Sequence, residues 1–323
     1  RILTLFAMAV EYGCYGPDDR FLAIAPMCHG AGMVFSLAPI FFGGYAEIMD
    51  KLEPEAVLDS LASESISGFF GVPTHFHALL EAGRGLETAS RKGRLRTVIS
   101  NAAAMPQAMK ERLVAQLGPG LLHDTYGSTE AGIVSNLRPA DQLRKQQCVG
   151  QPFPCTLIEI RRADGNICAP DEVGELYSRS PYLFNGYWGR PEETAETYRD
   201  GWVTVGDLAR QDAEGHLYIV DRLKDMVISG GVNIYPREVE EVIFRHPEVA
   251  DVALIGVPDE RWGEVLKAFV VRRAGSSLDE AALVAALEGQ ISRMKLPKYV
   301  EFIAQMTRNA SGKVLKTALR VRG

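Results

Sequence analysis

The sequence predicts an α/β protein: a parallel-sheet α/β layer, then a small antiparallel β-barrel-like subdomain, then a compact C-terminal α+β domain. Three observations predict it. Over residues 1–130, short apolar segments alternate with helix-patterned ones, as in a parallel sheet flanked by helices. Between about 148 and 220 the helical patterns stop, and strand–turn–strand signals replace them. A charged break, Asp221-Arg222-Leu223-Lys224-Asp225, then precedes about a hundred residues in which both patterns return. The expected divisions are 1–147, 148–222 and 223–323.

The opening Arg1-Ile2-Leu3-Thr4 sits inside an apolar, helix-like pattern without an initiator Met or a signal peptide. The chain is therefore expected to begin within a longer protein. Residues 21–46 carry no Asp, Glu, Lys or Arg, a run long enough for a bilayer helix. Pro26, Pro39, Gly30, Gly32, Gly43 and Gly44 interrupt it, so a buried strand, a glycine-containing loop and a buried helix are expected instead. A helix follows over 54–64, then a strand over 68–72, and a helix from Pro73 to Glu81. Residues 97–100 read as a strand. A helix over 106–117 has Pro106 in its first turn and Gly118 at its end. Residues 121–126 read as the next strand. Ligands of such sheets gather at the carboxyl ends of the strands, which are the loops 71–73, 101–103 and 126–132.

In the middle segment, strands are expected over 156–162, 174–178 and 216–220, with turns at Ala163-Asp164-Gly165-Asn166 and Asp212-Ala213-Glu214-Gly215. The last segment predicts a helix over 236–245, strands over 250–257 and 266–271, a helix over 278–294, a strand over 299–303, and a final helix from Lys313.

Composition narrows the function classes. The chain of 323 residues is 46% hydrophobic and 24% charged, ordinary for a globular protein. Its 35 basic and 41 acidic residues leave a net charge of −6, which does not point to nucleic acid or an anionic membrane surface. Arg91-Lys92-Gly93-Arg94 is too short a basic run to change that and reads as a solvated face. The five cysteines (Cys14, Cys28, Cys148, Cys155 and Cys168) are odd in number and form no Cys-x-x-Cys pair. That argues against a disulfide framework or a structural zinc site and fits a reducing cytoplasm. His75 and His77 lack a third ligand-like neighbour and read as helix-surface or pocket residues.

Four loops carry chemistry. Tyr126-Gly127-Ser128-Thr129-Glu130-Ala131-Gly132 follows a strand. Its aromatic, two hydroxyls and carboxylate could stack on a base, hold phosphate oxygens and ligate Mg²⁺. Taken alone, the stretch reads first as a polar turn before a helix capped by Ser128 or Thr129. Asp207 follows the apolar segment 202–205 and could accept ribose hydroxyls, or be a plain turn residue. Gly230-Gly231 permits close backbone approach, or makes a hairpin turn. Gly312-Lys313 mimics the end of a phosphate-binding loop. However, Thr307 and Val314 stand where that loop needs Gly and Ser or Thr. Lys313 is then either a point charge for a phosphate or carboxylate, or a lysine opening a helix.

The order and spacing of "YGSTEAG", "GELYSRSPYLFNGYW", "GWVTVGDLA", "IVDRLKDMVISGGVNIYPREVE" and "RNASGKVLK" resemble the adenylate-forming superfamily of acyl-CoA synthetases, luciferases and adenylation domains. The resemblance extends from "PMCHGAG" to the end. It implies an ATP-dependent acid–CoA ligase that forms an acyl-adenylate and passes the acyl group to coenzyme A. By that resemblance Tyr126 and Gly127 lie at the adenine, with Tyr126 stacked on it, and Asn101, Ala102 and Ala103 line its other side. Thr129 meets the α-phosphate, and Glu130 binds Mg²⁺. Asp207 takes the ribose hydroxyls, and Arg222 reaches the ribose or phosphate. Lys224 is the hinge of a mobile C-terminal domain. Gly230 and Gly231 line the pantetheine tunnel, and Trp262 touches the CoA nucleotide. Lys313 bridges the substrate carboxylate and the α-phosphate, and His29 lies near that carboxylate.

Two departures stand out. The usual Thr-Gly-Asp reads Val205-Gly206-Asp207 here. The family's Ser/Thr/Gly-rich phosphate loop is absent, and in relatives it lies just before a segment like 1–5. The chain is therefore expected to lack about the first third of a typical member. A fatty or aromatic monocarboxylic acid is the expected substrate, since no Asp stands near His29 to hold an α-amine. Two alternatives stay open: a non-catalytic nucleotide- or acyl-binding fragment, and an adenylation domain loading a carrier protein. The partners implied are small molecules, without nucleic acid or a membrane span; homodimerisation stays open.

Overall fold

Apolar strands too short to leave either face wet set the first layer. The computed structural model describes residues 2–13, 15–63, 65–82, 85–88, 94–309 and 312–322. Cys14, Glu64 and the basic run 91–93 lie outside these residues. The chain divides into two units. The first comprises Arg1–Val205, Ala209–Ile219 and Ala310–Gly312; the second comprises Gly206–Leu208, Val220–Asn309 and Lys313–Gly323.

The first unit is built on a seven-stranded sheet in the order β2-β1-β3-β4-β5-β6-β7. Its strands are β1 (Arg20–Ala23), β2 (Tyr45–Ile48), β3 (Gly68–Gly71), β4 (Thr97–Ser100), β5 (Leu122–Ser128), β6 (Gly132–Leu137) and β7 (Gln151–Pro152). Pairing is parallel from β2 through β5 and antiparallel from β5 to β7. All four residues of β3 and of β4 are buried, the continuous burial of strands covered on both faces. Leu22, Phe69 and Val98 face one core, with Leu58 and Leu61 of α3 (Pro54–Ala62), Phe76 and Leu79 of α4 (Pro73–Glu81) and Leu113 of α5 (Gln107–Leu117). Their neighbours Phe21, Phe70 and Ile99 face a second core, with Met8 and Tyr12 of α1 (Ile2–Tyr12) and Phe35 of α2 (Gly30–Phe41). The two-residue period of a strand places successive side chains in different cores. The uncharged run 21–46 is strand, loop, helix and the start of β2; the helix expected to be buried, α2, leaves Met33, Leu37, Ile40 and Phe41 exposed on one side, and among the described residues no helix is long and apolar enough to cross a membrane.

A six-stranded antiparallel sheet follows. It contains β8 (Leu157–Arg161), β9 (Gly174–Arg179), β10 (Tyr198–Arg199), β11 (Trp202–Val203), β12 (Asp207–Gln211) and β13 (Leu217–Arg222), with α6 (Pro191–Thr197) before β10. Its strands run in the order β10-β11-β9-β12-β13, with β8 on β9.

The second unit carries a five-stranded sheet. Its strands are β14 (Val227–Ser229), β15 (Val232–Ile234), β16 (Val249–Asp259), β17 (Gly263–Arg272) and β18 (Tyr299–Phe302), with α7 (Pro236–Phe244), α8 (Glu280–Leu287) and α9 (Lys316–Arg320). Two expected helices are shorter than their patterns. The one expected over 278–294 is capped by Asp279, whose side chain accepts from the Ala282 amide, and ends before Gly289 at φ +80°. A left-handed glycine there stops a helix. The last helix starts at Lys316 rather than Lys313. Val314 instead pairs with Arg308, and the Leu315 amide bonds to the Thr307 carbonyl at 2.9 Å.

One buried ion pair pins a helix beneath the candidate site. Lys110 on α5 reaches Asp124 on β5 at 2.6 Å, with side chains 2% and 7% exposed, and also donates to the Cys148 carbonyl at 3.1 Å. Removing one partner strands a buried charge, at a cost of about 3–5 kcal/mol. Lys110→Met should therefore lower the stability of the first unit by about that much, while Lys110→Met with Asp124→Leu should recover most of it. Urea unfolding followed by tryptophan-independent circular dichroism checks both; an equal loss in the two variants would contradict the assignment.

His123 on β5 is buried beneath Tyr12, whose ring lies 5.1 Å away, and its Nδ1 is 3.0 Å from the Asn136 amide. Burial lowers its imidazole from the usual 6.5 to about 4; Glu11 and Asn136 oppose this weakly. The unfolded chain therefore takes up a proton at His123 between pH 6.5 and 4, and the folded chain does not. Stability is complete above pH 6.5 and falls as pH drops through this window, by about 1.4 kcal/mol per unit of separation. His123→Gln should flatten the pH 4–6.5 stability slope relative to the parent, read by denaturant titrations at several pH values.

Candidate active site

In the first unit, register puts the candidate loops on one sheet edge. Gly71 pairs with Ser100 and Ser100 with Asp124 in parallel ladders. Loop 101–103 and the last residues of β5, 126–128, with the turn that follows them, therefore extend from the carboxyl ends of the parallel ladder, the position where open α/β sheets bind ligands. Ala23 pairs with Phe70, so the chain leading to His29 starts from the same edge.

His29 is the N-cap of α2 in extended conformation, with its carbonyl accepting from Met33 N at 2.9 Å. Its Nε2 is buried and has no hydrogen-bond partner among the described residues, a state that buried polar atoms rarely keep without a ligand or water. The helix start passes close to the preceding turn: a Cβ on Gly32 would stand 2.3 Å from the Pro26 carbonyl oxygen.

Asn101 is buried, and its Oδ1 accepts from the Ala102 amide. Ala102 has φ +76°, a left-handed conformation that costs a residue with a Cβ of order 1 kcal/mol. The loop is thus held in a conformation where glycine would be relaxed.

The expected helix after Ser128 is absent. Residues 122–137 form the β5–β6 hairpin, with a bulge between Tyr126 and Gly127. Gly132 at φ +72° and the β-branched pair Ile133-Val134 favour extended chain over a helix start. Ser128 accepts from the Ala131 amide at 3.0 Å, closing the turn. At Gly127 a Cβ would lie 2.1 Å from the Gly132 carbonyl oxygen, so the bulge requires glycine there. Thr129 and Glu130 occupy the turn itself. Glu130 is held twice: its carbonyl accepts from Phe184 N at 2.8 Å, and its Oε1 accepts from the Tyr187 hydroxyl at 2.7 Å. Nothing in the sequence pattern singled out Tyr187. The only signal was its place in the stretch "NGYW", with no periodicity or charge to mark it.

Among the described residues no three His, Cys, Asp or Glu side chains cluster as a metal cage. One oriented carboxylate suits Mg²⁺, which is commonly held by one or two carboxylates with substrate phosphates completing its shell. Glu130 fits that donor set.

The second unit gathers the charged candidates. Asp207 opens β12, is 5% exposed, and pairs with Arg222 Nε at 3.2 Å. Gly206, at φ +72°, accepts the Leu223 amide at 2.8 Å, tying the strand start to the segment after β13. No hydroxyl precedes Gly206. The nearest one upstream, on Thr204 in the first unit, donates to Glu175 at 2.6 Å. Lys224 lies in a short 3-10 turn, Leu223–Asp225. Gly230 and Gly231, at φ +57° and +82°, form the turn of the β14–β15 hairpin. A Cβ on Gly230 would meet the Trp262 ring at 2.7 Å, and Gly230 N donates to the Trp262 carbonyl at 2.8 Å. Trp262 keeps 40% of its surface exposed, with Arg261 4.9 Å from its ring centre.

Lys313 stands in a tight turn: its amide donates to Asn309 Oδ1 at 2.9 Å, and the Asn309 amide returns a bond to its carbonyl at 2.9 Å. The residue as a whole is exposed. Loss of solvent around its ammonium first, and the Arg222 charge second, lower its pKa, while Asp207 and Asp225 oppose. The structure thus brings Lys313 into the field of Asp207 and Arg222, which are more than ninety residues earlier in the chain.

Known proteins resemble this chain over nearly its whole length. The AMP-binding enzyme family matches residues 2–188, and the AMP-binding enzyme C-terminal domain matches residues 238–313. A feruloyl-CoA synthase of Amycolatopsis sp is 40% identical over 309 residues, covering 94% of this chain and 62% of that enzyme. An indoleacetate–CoA ligase of Aromatoleum aromaticum is 35% identical over 305 residues, covering 94% of this chain and 59% of that enzyme. ATP-bound MatB from Rhodopseudomonas palustris superposes with a TM-score of 0.92 at 31% identity, covering 99% of this chain and 63% of that structure. The chain spans about three-fifths of the length of these relatives. Since the first match alone takes in more than half the chain, and relatives 35–40% identical cover 94% of it, this chain belongs to the AMP-binding enzyme family.

Proposed function

We propose that the protein carrying this chain is an ATP-dependent acid–CoA ligase that activates a fatty or aromatic monocarboxylic acid. The observation that carries this reading is the common sheet edge of loops 101–103 and 126–130, with Glu130 oriented by Tyr187. We also propose the three-part division 1–147, 148–222 and 223–323.

In the first half-reaction a carboxylate oxygen of the acid bonds to the α-phosphorus of ATP, and pyrophosphate leaves. Tyr126 stacks on the adenine, with Gly127 letting the backbone close on it and Asn101, Ala102 and Ala103 on the other side. Asp207 accepts the ribose hydroxyls, and Arg222, already paired with it, reaches the ribose or phosphate. Thr129 holds the α-phosphate. Glu130 holds Mg²⁺, which when bound offsets charge on the leaving pyrophosphate. Lys313 lies between the acid's carboxylate and the α-phosphate, where a fixed cation offsets the repulsion of two anions. His29 offers Nε2 to the acid's carboxylate. In the second half-reaction the thiol sulfur of coenzyme A attacks the acyl carbon, and AMP leaves. Rotation about Lys224 would exchange Lys313 for the Gly230-Gly231 turn, which lines the pantetheine path, with Trp262 against the CoA nucleotide. The cytoplasm, where ATP and CoA are available, is the compartment we propose for this chemistry.

The acids of the relatives, one phenolic and one indolic, support an aromatic or apolar substrate, as does the absence of an Asp near His29. A pyrophosphate-release screen over ferulate, indoleacetate and medium-chain fatty acids, with CoA and a carrier protein as rival acceptors, tests the reading. No release with any acid would overturn it. Lys313→Ala should slow acyl-adenylate formation by roughly a hundredfold or more, while leaving thioester formation from supplied adenylate within a fewfold. Equal loss in both half-reactions would remove Lys313 from the role given to it. Asp207→Asn should raise the KM for ATP by roughly tenfold or more, as expected for a lost charge-assisted hydrogen bond. Steady-state kinetics in ATP check it, and an unchanged KM would contradict the ribose assignment.

A further inference from the structure

The turn that carries Lys313 is clamped on both legs. On the incoming leg Arg308 Nη2 binds Asp251 Oδ2 of β16 at 2.5 Å. Across the turn, Arg308 pairs with Val314, and Leu315 N bonds to Thr307 O. On the outgoing leg Lys316 Nζ lies 2.8 Å from Glu240 Oε1 on α7, and that same oxygen accepts the Leu254 amide of β16 at 2.8 Å. The Lys316 charge also reaches Asp221. Asp221 is 6% exposed, and its two oxygens accept the amides of Arg222 (2.8 Å) and Arg237 (3.0 Å). One helical turn later, Arg320 Nη2 binds Asp225 Oδ1 at 2.5 Å and donates to the Lys224 carbonyl at 3.4 Å.

These bonds join three parts of the second unit that are remote in sequence: the 221–225 segment, the α7–β16 pair, and the last turn of the chain. The cations Arg308, Lys316 and Arg320 are thus each engaged by a carboxylate of the same unit. We propose that Lys316 and Arg320 are positioning residues: together with Arg308 they lock the Lys313 turn to the 221–225 segment, so that Lys313 and the hinge move as one piece. A lysine carried in by rotation about Lys224 is useful only if its reach is reproduced to a fraction of an ångström at each closure. A turn held by its backbone alone would be free to fray. This inference rests on the role given above to Lys313. It adds that the accuracy of that role comes from ion pairs outside the reacting groups.

The test uses the protein that carries this chain and two readouts. Arg320→Ala and Lys316→Met should each speed amide hydrogen exchange over 307–316 by roughly tenfold. They should also lower the rate of acyl-adenylate formation by roughly tenfold, with the KM for ATP and thioester formation from supplied adenylate each within about twofold. Arg320→Lys, which keeps the charge, should restore most of the adenylation rate. Unchanged exchange over 307–316 in both variants would overturn the clamp. Faster exchange with unchanged adenylation, in a protein that Lys313→Ala disables, would overturn its positioning role alone. Intact adenylation in Lys313→Ala would instead remove the reading on which the inference rests, and the inference with it.

Discussion

The parallel ladder from β1 through β5 is the constraint on which the rest of the first unit depends. Parallel strands cannot be joined by tight turns, so a helix must cross between them, and helices then cover both faces. That burial leaves only the strand ends open to polar chemistry. The register of Gly71 with Ser100 and of Ser100 with Asp124 then decides that loops 101–103 and 126–130 emerge side by side. The Lys110–Asp124 pair fixes the crossing helix to the strand that ends in the tyrosine loop. It is costly to bury and costlier to break.

At that edge the backbone departs from relaxed geometry. Ala102 takes a left-handed conformation, Gly127 sits in a bulge that would exclude any side chain, and a buried imidazole nitrogen of His29 has no partner among the described residues. Such features persist only where surrounding structure over-determines them. The second unit instead concentrates charge. Asp207, Arg222, Asp225 and Lys313 share one electrostatic neighbourhood, with flanking cations bound to carboxylates.

Much of the fold was legible because its signals are local. The apolar runs that became β3 and β4, the Pro-initiated helices, and the change of pattern near 148 all depend on residues within a few positions of one another. The candidate loops were legible through order and spacing rather than through any single motif. What failed was local propensity set against pairing. The segment after Ser128 became a strand because β5 offered an unpaired edge and Gly127 and Gly132 allowed the hairpin. Residues 313–315 stayed out of the last helix because Thr307 and Arg308 offered partners across a turn. Gly289 was a visible stop signal that a long apolar pattern overrode.

By itself, then, the sequence determined the class of layers, the strands too apolar to face water, and the set of polar loops that interrupt them. Only the tertiary structure decided which of those loops share an edge, that Tyr187 reaches Glu130, that Arg320 binds back to the segment around Lys224, and that Lys316 reaches Glu240. The physical reason is distance along the chain. Propensity and period act over a few residues, whereas these contacts join groups about fifty-seven to ninety-six positions apart, and only the packed sheets bring such groups together.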